Sequence, residues 1–233
     1  MPQKRKILYL PQGVIIFMHI YEKNGHKYPS VTTVLHIIGD EGICNWANSL
    51  GYRHISYNKE LARLADFGTA AHAFVRALVD PTSPKPDPYE CTYEEEQKLK
   101  RILLNFKKFQ KEFKLEPTFT EHVMVSDILE VGGTCDCYGN ITIDGVKYEN
   151  VLIDFKTAKK IHTPMFLQLS GYKMLLEEEG YRVDHCAIIQ LNEDKIRLTI
   201  KSAQEIEKYR EAFLLILKFF KFWITENRVR ELD

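Results

Sequence analysis

The sequence predicts an α/β fold, a central mixed sheet flanked by helices, with an N-terminal hairpin and helical extension in front. Three observations lead there. Residues 92–114 carry Leu99, Ile102, Leu103, Phe106, Phe109 and Phe113 at three- and four-residue spacing, the period of a helix that buries one face. The period then changes to three strand-like runs at about 117–130, 134–143 and 148–156, with Asp144-Gly145 as a tight turn between the last two. Helical and strand patterns alternate after that. The core order is therefore helix, three strands, helix, two strands, helix.

Taken in order, residues 6–21 read as two short strands, and Asn24-Gly25 in "EKNGHK" is a strong hairpin-turn signal. Ser30 in "YPSVTTVLHIIG" caps a short helix that stops at Gly39, and a second short helix covers about 42–50. Residues 58–80 read as a longer helix that Gly68-Thr69 interrupts weakly. Four prolines in "PTSPKPDP", 81–88, exclude regular structure and mark a loop. After the three strands, a helix at about 163–179 ends at Gly180. Strands at 182–191 and 195–200 follow, and Ser202 caps a final helix running to about 226. The expected organisation is residues 1–57 packed on a core of 58–233, as one compact unit.

Bulk properties set limits. The chain has 233 residues, 45% hydrophobic and 27% charged, which is ordinary for a soluble globular protein. Lys plus Arg and Asp plus Glu number 32 each, so the total charge offers no support for a nucleic-acid partner, although local patches decide such binding. Five cysteines form no C-x-x-C pair, so neither a disulfide framework nor a zinc or iron–sulfur motif is legible, and an intracellular, cytoplasmic setting fits. The N-terminal segment is broken by Pro11 and Gly13 and reads as no signal peptide. The greasiest run, 213–224, is too short to span a bilayer and carries two lysines, so no membrane is expected. Its aromatic residues Phe219, Phe220, Phe222 and Trp223 read as core.

One strand poses a chemical question. In "ENVLIDFKTAKK", 149–160, Leu152, Asp154 and Lys156 share one face by strand alternation, while Val151, Ile153 and Phe155 share the other. "GGTCDCYG" places Asp136 on the preceding strand, one hairpin away, where the two acids reach neighbouring positions. Paired carboxylates repel, which raises a pKa unless a cation sits between them. Hard oxygen ligands of this kind suit Mg²⁺ or Mn²⁺, and a lysine beside them supplies a point charge for a transition state. Cys135 and Cys137 flank Asp136 and are expected to face the other side of the sheet as packing residues. Taken alone, Asp154 and Lys156 would be no more than a salt bridge on a half-exposed strand.

Read with its flanks, this pattern resembles the PD-(D/E)XK nuclease superfamily, nearest its RecB-like and phage exonuclease branch and the mitochondrial genome maintenance exonuclease. The matching residues are Gly68-Thr69-x-x-His72, Glu121, Gly133-Thr134-x-Asp136, Asp154-Phe155-Lys156-Thr157 and Gln168-x-x-x-Tyr172, with "YPSVTTVL" similar to the entry of phage members. The resemblance spans about residues 28–200, and the ordered set is far more specific than one D-x-K. It implies a restriction-endonuclease-like αβββαβ core and a Mg²⁺- or Mn²⁺-dependent deoxyribonuclease. His72, Asp136, Asp154 and the Phe155 carbonyl would hold metal, and Lys156 would be the catalytic lysine. Asp136, Asp154, Lys156, Gln168 and Tyr172 would form the catalytic set. Thr157, Lys159, Lys160, Gln168 and Tyr172 would contact substrate, with Glu121 and Ser30 as further candidates.

The resemblance also implies DNA as partner, single-stranded or at ends, a role in DNA repair or recombination, and a prokaryotic or phage origin. The cysteine cluster of the iron–sulfur branch is absent, so no cluster is expected. Cys135, not proline, precedes Asp136. Two further readings are a nucleic-acid-binding module that has lost catalysis and a structure-specific endonuclease. Lys100, Lys107, Lys111 and Lys114 read as a solvated helix face.

Overall fold

The computed structural model describes residues 4–9, 15–39 and 41–226. Pro11 and Gly13 lie outside the described residues.

An N-terminal antiparallel sheet is built from β1 (Lys4–Tyr9), β2 (Ile15–Lys23) and β3 (His26–Pro29). Asn24 and Gly25 join β2 to β3 with φ of 53° and 80°, the two positive values that a type I′ turn demands. Ser30 then caps α1 (Val31–Leu35), its hydroxyl accepting from Thr33 N at 2.9 Å. A single 3₁₀ turn, His36–Ile38, closes on Gly39. Two helices follow, α2 (Glu41–Tyr52) and α3 (Tyr57–Val79).

The interruption expected at Gly68-Thr69 does not occur, because α3 runs unbroken. One glycine costs a helix about 1 kcal/mol, and the burial of Phe67, Ala71 and Val75 on the same helix outweighs that. The proline stretch is irregular, and α4 (Tyr93–Glu112) starts from a capping box between Thr92 and Glu95.

The core sheet has the order β4-β5-β6-β7-β8. Its strands are β4 (Lys114–Ser126), β5 (Val131–Ile143), β6 (Val146–Lys156), β7 (His185–Gln190) and β8 (Arg197–Ser202). All neighbours are antiparallel except β6 and β7. A parallel pair needs a crossover, and α5 (Thr163–Glu178) provides it; α6 (Ala203–Glu226) closes the chain. The run α4-β4-β5-β6-α5-β7 is the expected αβββαβ core in a mixed sheet flanked by helices.

Each face of the sheet carries its own apolar core. One joins α1, α5 and α6 to Leu152, Cys186 and Ile188. The other joins α3 and α4 to Val151, Ile153, Phe155 and Ala187. Strand alternation along β6 is thus as expected. The four aromatics of the tail divide: Phe220 is buried and Trp223 half-buried, whereas Phe219 and Phe222 are 53% and 60% exposed and do not belong to the core. Lys100, Lys107, Lys111 and Lys114 are all exposed. No helix among the described residues is long and apolar enough to cross a membrane.

The N-terminal sheet meets the core at the start of β5. Tyr21 OH lies 2.9 Å from Thr134 Oγ1, and Lys23 Nζ donates to the Val125 carbonyl at 3.0 Å. A side chain on Gly132 would collide with Tyr21, its Cβ only 2.5 Å from the ring, so glycine is what lets the two sheets touch.

Candidate active site

The site forms where the core sheet splits. β5 and β6 pair from Ile143↔Val146 to Cys137↔Ile153, one residue short of Asp136 on one strand and of Asp154 on the other. Pairing between these strands stops there. β4 stays with β5 up to Ser126↔Val131, and β7 stays with β6 up to Lys156↔Gln190. The backbone N–H of Phe155, which has no strand partner on that side, donates instead to Asp136 Oδ2 at 2.7 Å. In a strand the N–H and C=O of one residue point the same way, so the Phe155 carbonyl turns toward the same opening.

The split breaks the alternation of β5. Tyr138 and Cys135 both belong to the core on the α5 side, while Cys137 belongs to the core under α3 and α4. Both cysteines are buried packing residues, but they do not share the face opposite Asp136. Strict period two fails because β5 bends away from β6 at this residue. On the other flank of β5, Glu121 adopts φ of 51°, a left-handed conformation uncommon for a non-glycine residue. Such backbone costs of order 1–3 kcal/mol and clusters at functional sites. Here it goes with a Glu121 that lines the same cleft as Asp136.

Helices reach the opening from both faces. From α3, His72 Nδ1 approaches Asp136 Oδ1 at 3.6 Å, and its ring stands edge-on to Phe155 with centroids 6.2 Å apart. From α5, Gln168 and Tyr172 arrive four residues apart on one helix face. Gln168 Oε1 accepts from Lys156 Nζ at 3.1 Å. Gln168 Nε2 donates to Asp154 Oδ1 at 3.3 Å and to Tyr172 OH at 3.0 Å. The amide orientation follows from chemistry: an ammonium only donates and a carboxylate only accepts, so the amide oxygen must face Lys156. Tyr172 in turn packs over Gly133, where a Cβ would lie 2.6 Å from its ring.

Electrostatics follow from this packing. Asp154 is 2% exposed, and burial pushes its carboxyl up to about 6 against the pull of Lys156. Burial also works against the charge on Asp136, yet the adjacent His72, with help from Lys156 and the Phe155 N–H, holds it below the ordinary carboxylate range. Burial disfavours charge on His72 and Lys156 too. The two carboxylates outweigh it, and both groups are raised. Glu121 is raised by burial and by Asp136.

Lys156 Nζ lies 2.7 Å from Asp154 Oδ2 as an ion pair, but that buried oxygen makes no hydrogen bond of proper angle. Among the described residues, no three His, Cys, Asp or Glu side chains meet as a ready-made ion cage. A hard cation nevertheless fits the donors present. An under-bonded buried carboxylate oxygen, a second carboxylate across the split and an imidazole are what Mg²⁺ or Mn²⁺ accepts.

Of the remaining sequence-predicted residues, Thr157 lies beside Gly68, whose added Cβ would stand 3.6 Å from Thr157 Oγ1. Lys159 and Lys160 are exposed just beyond β6. Ser30 is buried, and its hydroxyl is engaged in the α1 cap; nearby Thr32 lines the cleft instead. The cleft measures about 390 Å³ and also takes in Thr69 of the Gly68-Thr69-x-x-His72 motif, together with His19, Tyr21 and Arg76, which no sequence motif singled out. Arg76 had a legible signal, since it falls four residues after His72 on one helix face.

No protein-family model matches the chain, and no curated protein matches it in sequence. Among solved structures, the crystal structure of a candidate exonuclease from Eubacterium rectale is similar, at 13% identity and a TM-score of 0.45, over 72% of this chain and 69% of that one.

Proposed function

We propose that this protein is a divalent-metal-dependent deoxyribonuclease that works as an exonuclease on DNA ends or single strands. The observation that carries the reading is the convergence of Asp136, Asp154 and Lys156 at the split between β5 and β6, with His72 and Gln168 entering from opposite faces. Asp136, Asp154, His72 and the Phe155 carbonyl would hold Mg²⁺ or Mn²⁺. When bound, such an ion neutralises phosphate charge and acidifies water for attack on phosphorus.

The chain's own groups do the rest. Gln168 fixes Lys156, and Tyr172 fixes Gln168, so the ammonium is held where negative charge grows on the phosphoryl oxygens. Lys156 also orients the attacking water, a role its three donors suit. Thr157, Lys159 and Lys160 leave the reacting strand directly and contact the DNA backbone by charge and hydrogen bonding.

The test incubates end-labelled single- and double-stranded DNA with Mg²⁺, Mn²⁺ or EDTA. The reading expects cleavage with either metal, none in EDTA, and products released stepwise from an end. Metal-independent cleavage would overturn it. Internal fragments in place of stepwise release would favour the endonuclease reading.

A further inference from the structure

We propose that Arg76 forms a second phosphate-binding point in the cleft, on the opposite side of the reacting carboxylates from Lys159 and Lys160. The proposal rests on the nuclease reading and extends it to a residue that no motif includes.

The placement comes from α3. Gly68, Thr69, His72, Ala73 and Arg76 recur at the spacing of one helix face. Gly68 closes on Thr157 at the end of β6. His72 meets Asp136 one turn further on. Arg76 lies one turn beyond that, about 6 Å along the axis at 1.5 Å per residue, and lines the cleft with Glu121 and Thr32. The helix thus runs alongside the reactive centre, from Thr157 at one end to Arg76 at the other.

Arg76 is also free to bind. Arg63 on the same helix, Arg101 on α4 and Arg210 on α6 each hold a carboxylate. Arg76 forms no ion pair among the described residues, and its Nε is buried without a hydrogen-bond partner. A buried donor without a partner is costly; Nε is enclosed, but Arg76 as a whole is half-buried and lines the cleft, where its guanidinium is what an entering phosphate oxygen meets. Guanidinium groups bind phosphate through paired donors, a geometry lysine cannot copy. Arg76 draws the carboxyls of Glu121 and Asp80 downward electrostatically but forms an ion pair with neither.

The experiment compares wild type, Arg76→Gln and Arg76→Lys. Anisotropy of a fluorescein-labelled single-stranded oligonucleotide is followed in EDTA over a salt series, and cleavage is followed in Mn²⁺. Arg76→Gln is expected to reduce the slope of log affinity against log salt by about 1. It should raise KM about tenfold with kcat little changed. Arg76→Lys should keep the slope and recover only part of the KM. Unchanged slope and KM in Arg76→Gln would overturn the proposal. If Arg76→Gln melts early, the folded Arg76→Lys still decides: wild-type KM in that variant refutes the paired-donor role. A wild type that binds DNA but cuts nothing would sink the nuclease reading, while the salt slope would still judge Arg76.

Discussion

Asp136 and Asp154 each lie one residue beyond Cys137 and Ile153, the last pair that joins β5 to β6, and the Asp136 side chain takes the Phe155 N–H in place of a strand partner. The sheet opens at these two acids. That opening admits α3 from one face and α5 from the other, and each helix delivers a polar group to one carboxylate.

The Asp154 carboxyl titrates at about 6, above its unfolded value. The native state therefore holds an extra proton between about pH 4 and 6, and stability falls as pH rises through that window, by up to ~3 kcal/mol. Asp136, held below its ordinary range, acts at lower pH and leaves this window clear. Glu121 is raised in the same sense and contributes to both proteins, so urea unfolding of wild type and Asp154→Asn at intervals from pH 4 to 6 should show the steeper fall in wild type. Equal slopes in the two proteins would count against it.

Metal should stabilise the fold by mass action. At a hundred times its Kd, Mn²⁺ adds about 2.7 kcal/mol, a shift of several degrees in Tm for a chain of this size. Asp136→Asn and Asp154→Asn should each remove most of that shift. A shift that survives both substitutions would place the ion elsewhere.

Gln168 touches Lys156, Asp154 and Tyr172 together. Gln168→Leu should lower kcat roughly ten- to a hundredfold, the usual cost of losing a group that orients a metal site, with KM moved far less. Steady-state kinetics in Mn²⁺ read this, and an unchanged kcat would show that Lys156 needs no such support.

Gly133 leaves room for Tyr172, and a Cβ there would sit 2.6 Å from the ring. Gly133→Ala should cost about 1–3 kcal/mol through overpacking and lower kcat by displacing Tyr172 from Gln168. Pairing it with Tyr172→Leu should recover stability but not kcat. Thermal melts of the single and double variants check the first part, and activity the second.

Much of this was legible in the sequence because two periods carry it. Alternation on β6 separates Leu152, Asp154 and Lys156 from Val151, Ile153 and Phe155, and the structure packs them that way. The four-residue step on α5 brings Gln168 and Tyr172 together. What stayed hidden depends on long-range contacts. The opposite facing of Cys135 and Cys137 follows from β5 leaving β6, which no local pattern encodes. The left-handed backbone of Glu121 has no glycine to announce it. Tyr21 and Thr32 reach the cleft only because the N-terminal sheet lies on Gly132, a contact between residues far apart in the chain. The unbroken course of α3 through Gly68 is another tertiary effect, set by its buried neighbours.

The most direct test of the central claim is the rate at which Lys156→Ala degrades end-labelled single-stranded DNA in Mn²⁺, measured beside wild type once a melt has shown the variant folded. The account predicts metal-dependent degradation by wild type and a loss of at least a hundredfold in the variant, on the scale of removing one transition-state donor. Degradation by Lys156→Ala at the wild-type rate would contradict it.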